Sequence, residues 1–213
     1  LLATLFAPQI GQFFGISDVT MIQVLMPIHI LWINLVTDTF PALALAFDPA
    51  NSDIMSRKPI KKDEGIFTKG RTFRIIYQGI MIGLLTLAAY LIGIGSTTQA
   101  IEGLTLEQTK IEVGQTMAFI VLAFSELIHV FNIRDNKQSI FKTGILGNGV
   151  LILAILASAL LMVVILFIPQ LRTIFSIPIL PKDNVIETII LIISPVIVVE
   201  ILKLFKLNTT KDE

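Results

Sequence analysis

Apolar positions in this chain come in long unbroken runs, not in the alternation or one-sided stripes of a soluble fold. Residues 75–95 and 144–170 contain no charged side chain. A run of about 20 apolar residues is the length that crosses the hydrocarbon core of a bilayer as a helix. The pattern predicts spans over residues 21–47, 73–95, 115–132, 144–168 and 185–204. Residues 1–14 are also apolar, but at 1.5 Å per residue they reach only about 21 Å, short of the ~30 Å core. They read as the end of a helix. Residues 15–20 form a turn-rich break, and polar loops are predicted over 48–71, 96–114, 133–143 and 169–183. The fold class is an all-α membrane protein, a bundle of about six transmembrane helices forming one domain over 1–213.

Composition strengthens this picture. Only 15% of the 213 residues are charged, against about 25% in a soluble domain, and the mean hydropathy is +0.83. Formal net charge is zero, so nothing points to nucleic acid. There is no cysteine, which excludes a disulfide framework and a thiolate metal site. The first residues lack the basic start and small-residue cleavage site of a signal peptide. No initiator Met is present, and the chain is expected to be a piece of something larger. Lys and Arg segregate thirteen to three when the loop over 48–71 is cytoplasmic, leaving only Lys110, Arg172 and Lys182 on the other side. The positive-inside bias then places the C-terminus in the cytoplasm.

Against this background a few polar positions stand out. An ionised Asp at the centre of a membrane helix costs roughly 2.5–3.5 kcal/mol on insertion scales, so Asp38, deep in an apolar stretch, needs compensation. Asn34 lies one helical turn earlier on the same face, and Thr37 borders it. Pro41 has no N–H, so the Thr37 carbonyl four residues back loses its helical partner. Carboxylate, amide oxygen, hydroxyl and freed carbonyl make an all-oxygen cluster suited to a hard cation such as Ca²⁺. Irregular backbone at membrane depth is tolerated where it lines a site. The other reading of Asn34, Thr37 and Asp38 is a helix–helix hydrogen-bond network around a proline kink.

Glu126 is the second buried acid, near the middle of the predicted span over 115–132. It is either part of an ion path or a partner of His129. His29 and His129 are expected as helix-end hydrogen bonders, and Glu200 as an interfacial salt-bridge partner of Lys203. The run RKPIKK at 57–62 reads as a positive-inside anchor or an anionic-lipid patch, and Trp32 and Tyr90 as packing or interface residues. No phosphate-cradling glycine loop, His/Cys metal spacing or nucleophile–base pair occurs, so the chain alone is not expected to hydrolyse anything.

The stretch LWINLVTDTFPALALAFDP (31–49), followed by DIMSRKP (53–59), closely resembles the sixth transmembrane helix and following loop of P-type calcium-transporting ATPases of the sarco/endoplasmic reticulum type and their bacterial relatives. Thr116-Met117-Ala118, Glu126, Asn132 and Asn136-Lys137-Gln138-Ser139 resemble that family's eighth helix and the turn after it. Pro195-Val196-Ile197 and Glu200-Ile201-Leu202-Lys203 resemble its tenth. The resemblance covers nearly the whole chain, as the end of helix five and helices six to ten.

It implies a pump that forms an aspartyl-phosphate intermediate and exports Ca²⁺ from the cytosol. In such a pump Asn34, Thr37 and Asp38 would coordinate Ca²⁺, with Asp38 bridging two sites where two exist and Glu126 serving the second. The loop over 48–71 would contact the phosphorylation domain. ATP and Mg²⁺ would bind only in cytoplasmic domains outside this chain, and the partners would be those domains, the earlier helices of the same pump and the lipid bilayer. A prokaryotic plasma membrane is the expected location. Related sodium and potassium pumps usually carry a second Asp where Asn34 stands, and manganese-tolerant relatives often lack the threonine at 37, so the resemblance favours calcium. The alternatives are a P-type pump for Mn²⁺ or Na⁺, and a non-pumping channel or structural multi-span subunit. An upstream DKTGT motif separates the pump from the latter.

Overall fold

The computed structural model describes residues 2–48, 65, 67–134, 140 and 147–205. The basic run at 57–62, the turn at 136–139 and the tail at 206–213 lie outside them. Two short helices, α1 (Leu2–Leu5) and α2 (Ala7–Phe14), open the chain. A 3₁₀ turn, Val19–Met21, leads to α3 (Pro27–Trp32), a π-helical segment (Ile33–Asp38) and α4 (Thr39–Leu45), which run on as one interrupted rod. Then come α5 (Lys69–Ser96), α6 (Leu106–Arg134), α7 (Gly149–Phe167), the short α8 (Pro169–Ile174) and α9 (Lys182–Leu204). Among the described residues there are no strands, and five helices are long and apolar enough to cross a membrane. With the short N-terminal pair, this is the expected all-α membrane bundle.

The centre of the bundle is α6. Over its most apolar window 56% of residues are buried, against 17–33% in the other four spans, so the others surround it. Without a hydrophobic drive between helices in lipid, close approach comes from small residues. A Cβ on Gly93 of α5 would stand 2.7 Å from the Gly114 Cα, and one on Gly114 would stand 2.7 Å from the Tyr90 carbonyl oxygen. Both positions admit only glycine without a shift. Gly95 meets Phe14 in the same way at 3.1 Å, whereas Gly79 and Gly83 face open space. Of the glycines at 79, 83, 93 and 95, only the later two serve close packing here. Asn184 of α9 reaches across to Ser96 Oγ at 2.6 Å, tying the third helix to this pair.

The chief departure from the sequence expectation is the length of α6. It begins at Leu106, inside the stretch expected to be loop. Thr105 and Gln108 form a reciprocal cap: the Gln108 amide donates to Thr105 Oγ1 at 3.2 Å, and the Thr105 amide donates to Gln108 Oε1 at 2.9 Å. This Ser/Thr-x-x-Glu/Gln pattern is a helix-start signal independent of hydropathy. Glu126 consequently falls in the second half of its helix and not at the middle. At the other boundary Asn148 caps α7, accepting from the Leu151 amide at 2.9 Å.

Candidate cation site

Pro41 cannot donate to the Thr37 carbonyl, and the helix relaxes before it reaches the proline. The wide turn falls on Ile33–Asp38, the residues in question. Single π turns within α-helices mark functional sites often enough to be informative. Side-chain hydroxyls then take up the loosened carbonyls. Thr37 Oγ1 donates to the Ile33 carbonyl at 2.8 Å, Thr39 Oγ1 to the Asn34 carbonyl at 2.7 Å, and Ser158 Oγ of α7 to the Val36 carbonyl at 2.8 Å. Thr39 and Ser158 were not singled out in the sequence. Thr39 was readable in principle as a hydroxyl next to Asp38, whereas Ser158 is recognisable only once α7 is docked.

The four sequence candidates behave differently. Asp38 and Glu126, 88 positions apart in the chain, sit on two helices that pack together, with their carboxyl groups close enough to influence each other. Glu126 Oε2 is buried without a hydrogen-bond partner among the described residues. Asn34 is exposed, as is Asp38, so the two lie on an outward face of the rod. Thr37 is buried at 1% exposure with its hydroxyl on its own helix. No group of three or more His, Cys, Asp or Glu gathers among the described residues. The four candidates are thus a pair of neighbouring acids on two helices, an exposed amide at Asn34 and a hydroxyl at Thr37 that is bonded within its own helix.

Around it α6 is lined with buried polar atoms that lack partners among the described residues: Thr116 Oγ1, Ser125 Oγ, both His129 ring nitrogens and Asn132 Nδ2. His129 is thus not the hydrogen bonder expected from its position. His29 is: the Phe175 carbonyl lies 2.8 Å from its Nε2, and the Met26 amide donates to Nδ1 at 3.4 Å, which fixes the Nε2–H tautomer. Its ring stacks on Phe119 at 4.5 Å. Trp32 packs edge-on against Phe175. Glu200 pairs with Lys203 at 3.3 Å, as expected, and Lys203 also donates to the Asn132 carbonyl at 3.3 Å.

The described residues form a multi-span helical membrane bundle with a π-distorted helix. The chain belongs to the family described as cation-transporting ATPase, C-terminus, which it matches over residues 22–205. It is 42% identical over 189 residues to calcium-transporting ATPase 1 of Bacillus cereus, covering 86% of this chain and 21% of that protein. It is 38% identical over 160 residues to the calcium-transporting ATPase of Bacillus subtilis, covering 75% of this chain and 17% of that protein. It is 31% identical over 204 residues to the endoplasmic reticulum-type calcium-transporting ATPase 3 of Arabidopsis thaliana, covering 87% and 20% respectively. The chain spans about a fifth of the length of these relatives. It is an integral, multi-pass membrane segment of a cation-transporting ATPase.

Proposed function

We propose that this chain is the C-terminal membrane half of an ATP-driven pump that exports Ca²⁺ from the cytosol, and that it supplies part of the intramembrane Ca²⁺ site through Asn34, Thr37, Asp38 and Glu126. The observation that carries the reading is the meeting of Asp38 and Glu126 from two different helices. Two ionised carboxylates at this range repel unless a cation or a proton lies between them. A divalent cation entering the pair therefore gains the attraction of both acids and removes their repulsion. Hard oxygen donors suit Ca²⁺, which takes 6–8 of them. This chain offers the two carboxyls, the Asn34 amide and the Thr37 hydroxyl, and the open Asn34 side leaves room for donors from helices outside it. The calcium-transporting relatives support Ca²⁺ as the cargo.

The hydrolytic chemistry, with ATP and Mg²⁺, belongs to cytoplasmic domains beyond this chain. The bacterial relatives support a prokaryotic plasma membrane, and the Lys/Arg bias supports a cytoplasmic C-terminus. The test is phosphorylation from ATP in the intact protein, compared across Ca²⁺, Mn²⁺ and Na⁺. Phosphorylation is expected to depend on Ca²⁺, and Asp38→Asn is expected to abolish that dependence. Normal Ca²⁺ activation of the variant refutes the site, and activation by Mn²⁺ or Na⁺ alone refutes the cargo.

A further inference from the structure

One carboxylate outside the candidate site ties three helix ends together. Asp48, just past the end of α4, accepts from Arg134 Nε at 3.0 Å, and Arg134 Nη2 lies 3.0 Å from the same Asp48 Oδ1. Arg134 is the last residue of α6. Asn148 Nδ2 donates to Asp48 Oδ1 at 3.0 Å and to the Ala44 carbonyl of α4 at 3.2 Å. The other end of that amide is already the cap of α7. The Arg134 side chain is 5% exposed and that of Asp48 24%. The pair is more shielded than a surface ion pair, so removing one partner leaves the other charge uncompensated, and the planar guanidinium fixes direction as well as distance.

This node stands in line with the candidate site. Asp48 follows Asp38 by ten residues along one rod, and Arg134 follows Glu126 by eight along the other. At 1.5 Å per helical residue, both acids are carried about 12–15 Å from the node. Two rods joined at one end have their mutual height and angle set there, so a shift at the node is transmitted to the spacing of the two acids. We propose that Asp48 and Arg134 are positioning residues that set the approach of Asp38 to Glu126, and through it the affinity of the pump for its cation. The inference rests on the cation-site reading given above.

The experiment measures Ca²⁺-dependent phosphorylation in the intact protein for Asp48→Asn, Arg134→Gln, Arg134→Lys and the exchanged pair Asp48→Arg/Arg134→Asp, with Asp38→Asn in parallel. Asp48→Asn and Arg134→Gln are expected to raise the half-saturating Ca²⁺ concentration about 5- to 20-fold, the range of a modest coupling between sites. The maximal phosphoenzyme level should stay within about twofold of wild type on the same reasoning. Arg134→Lys, which keeps the charge and loses the fork, should fall between. The exchanged pair should recover most of the lost affinity. An unchanged half-saturating concentration in the single variants overturns the proposal. So does a fall in maximal level alone, or an exchanged pair no better than the singles. If Asp38→Asn loses its Ca²⁺ response while the node variants keep theirs, the positioning role fails and the site reading stands. A normal response in Asp38→Asn overturns both.

Discussion

The central helix α6 meets its neighbours in two opposite ways. In its first half it crosses α5 at Gly93 and Gly114, where backbone approaches backbone and a single added carbon collides at 2.7 Å. In its second half it meets the interrupted rod at Asp38 and Glu126, where the partner is π-helical and several buried polar atoms lack partners. The first contact has one geometry available to it. The second leaves buried polar atoms unsatisfied among the described residues of this chain. The same helix thus provides a fixed fulcrum and, twelve residues further on, an adaptable site.

The contrast yields tests of graded size. Beyond the loss expected of Asp38→Asn, Glu126→Gln removes one charge from the adaptable end. It should raise the half-saturating Ca²⁺ concentration about 10- to 100-fold, the scale of one hydrogen-bonded charged contact, in titrations of phosphoenzyme formation. It should leave thermal stability nearly unchanged, because the fulcrum is untouched. Gly114→Ala should do the reverse. Overpacking costs about 1–3 kcal/mol, read as a lower midpoint of thermal unfolding of the purified protein, with Ca²⁺ affinity preserved. Gly79→Ala and Gly83→Ala face open space and should change stability by no more than about 0.5 kcal/mol in the same assay; equal losses at Gly79, Gly83 and Gly114 would erase the distinction. Ser158→Ala, which removes the donor to the Val36 carbonyl, should cost about 1 kcal/mol in thermal unfolding.

Hydropathy alone made the spans legible, because lipid imposes a length on any helix that crosses it. The acids were legible for the same reason: an ionised Asp or Glu in an apolar run is costly at that depth and calls for compensation. Asn34 followed from helical spacing. The juxtaposition of Asp38 and Glu126 was not legible, since it depends on which faces two distant helices turn to each other. Pro41 announced a break, but the choice of a π turn upstream depended on hydroxyls at Thr37, Thr39 and Ser158, one of them on another helix. The early start of α6 was written in Thr105 and Gln108 and overlooked because attention to hydropathy treats polar residues as loop. Arg134 was counted as one more basic charge near a membrane surface, and nothing local distinguished it from its neighbours as the partner of Asp48.

The contact between α6 and α2 bears on how this part of the molecule is able to move. Ser17 offers its amide and hydroxyl to the Glu107 carboxylate at 2.8 and 3.0 Å, and Lys110 donates to the Phe14 carbonyl at 2.7 Å. With Arg134 held at the opposite extremity, α6 is moored fore and aft. A piston stroke of one helical turn, about 5.4 Å, would tear both moorings at once. A swing or a roll of the interrupted rod, by contrast, would leave the moorings at Glu107 and Lys110 in place.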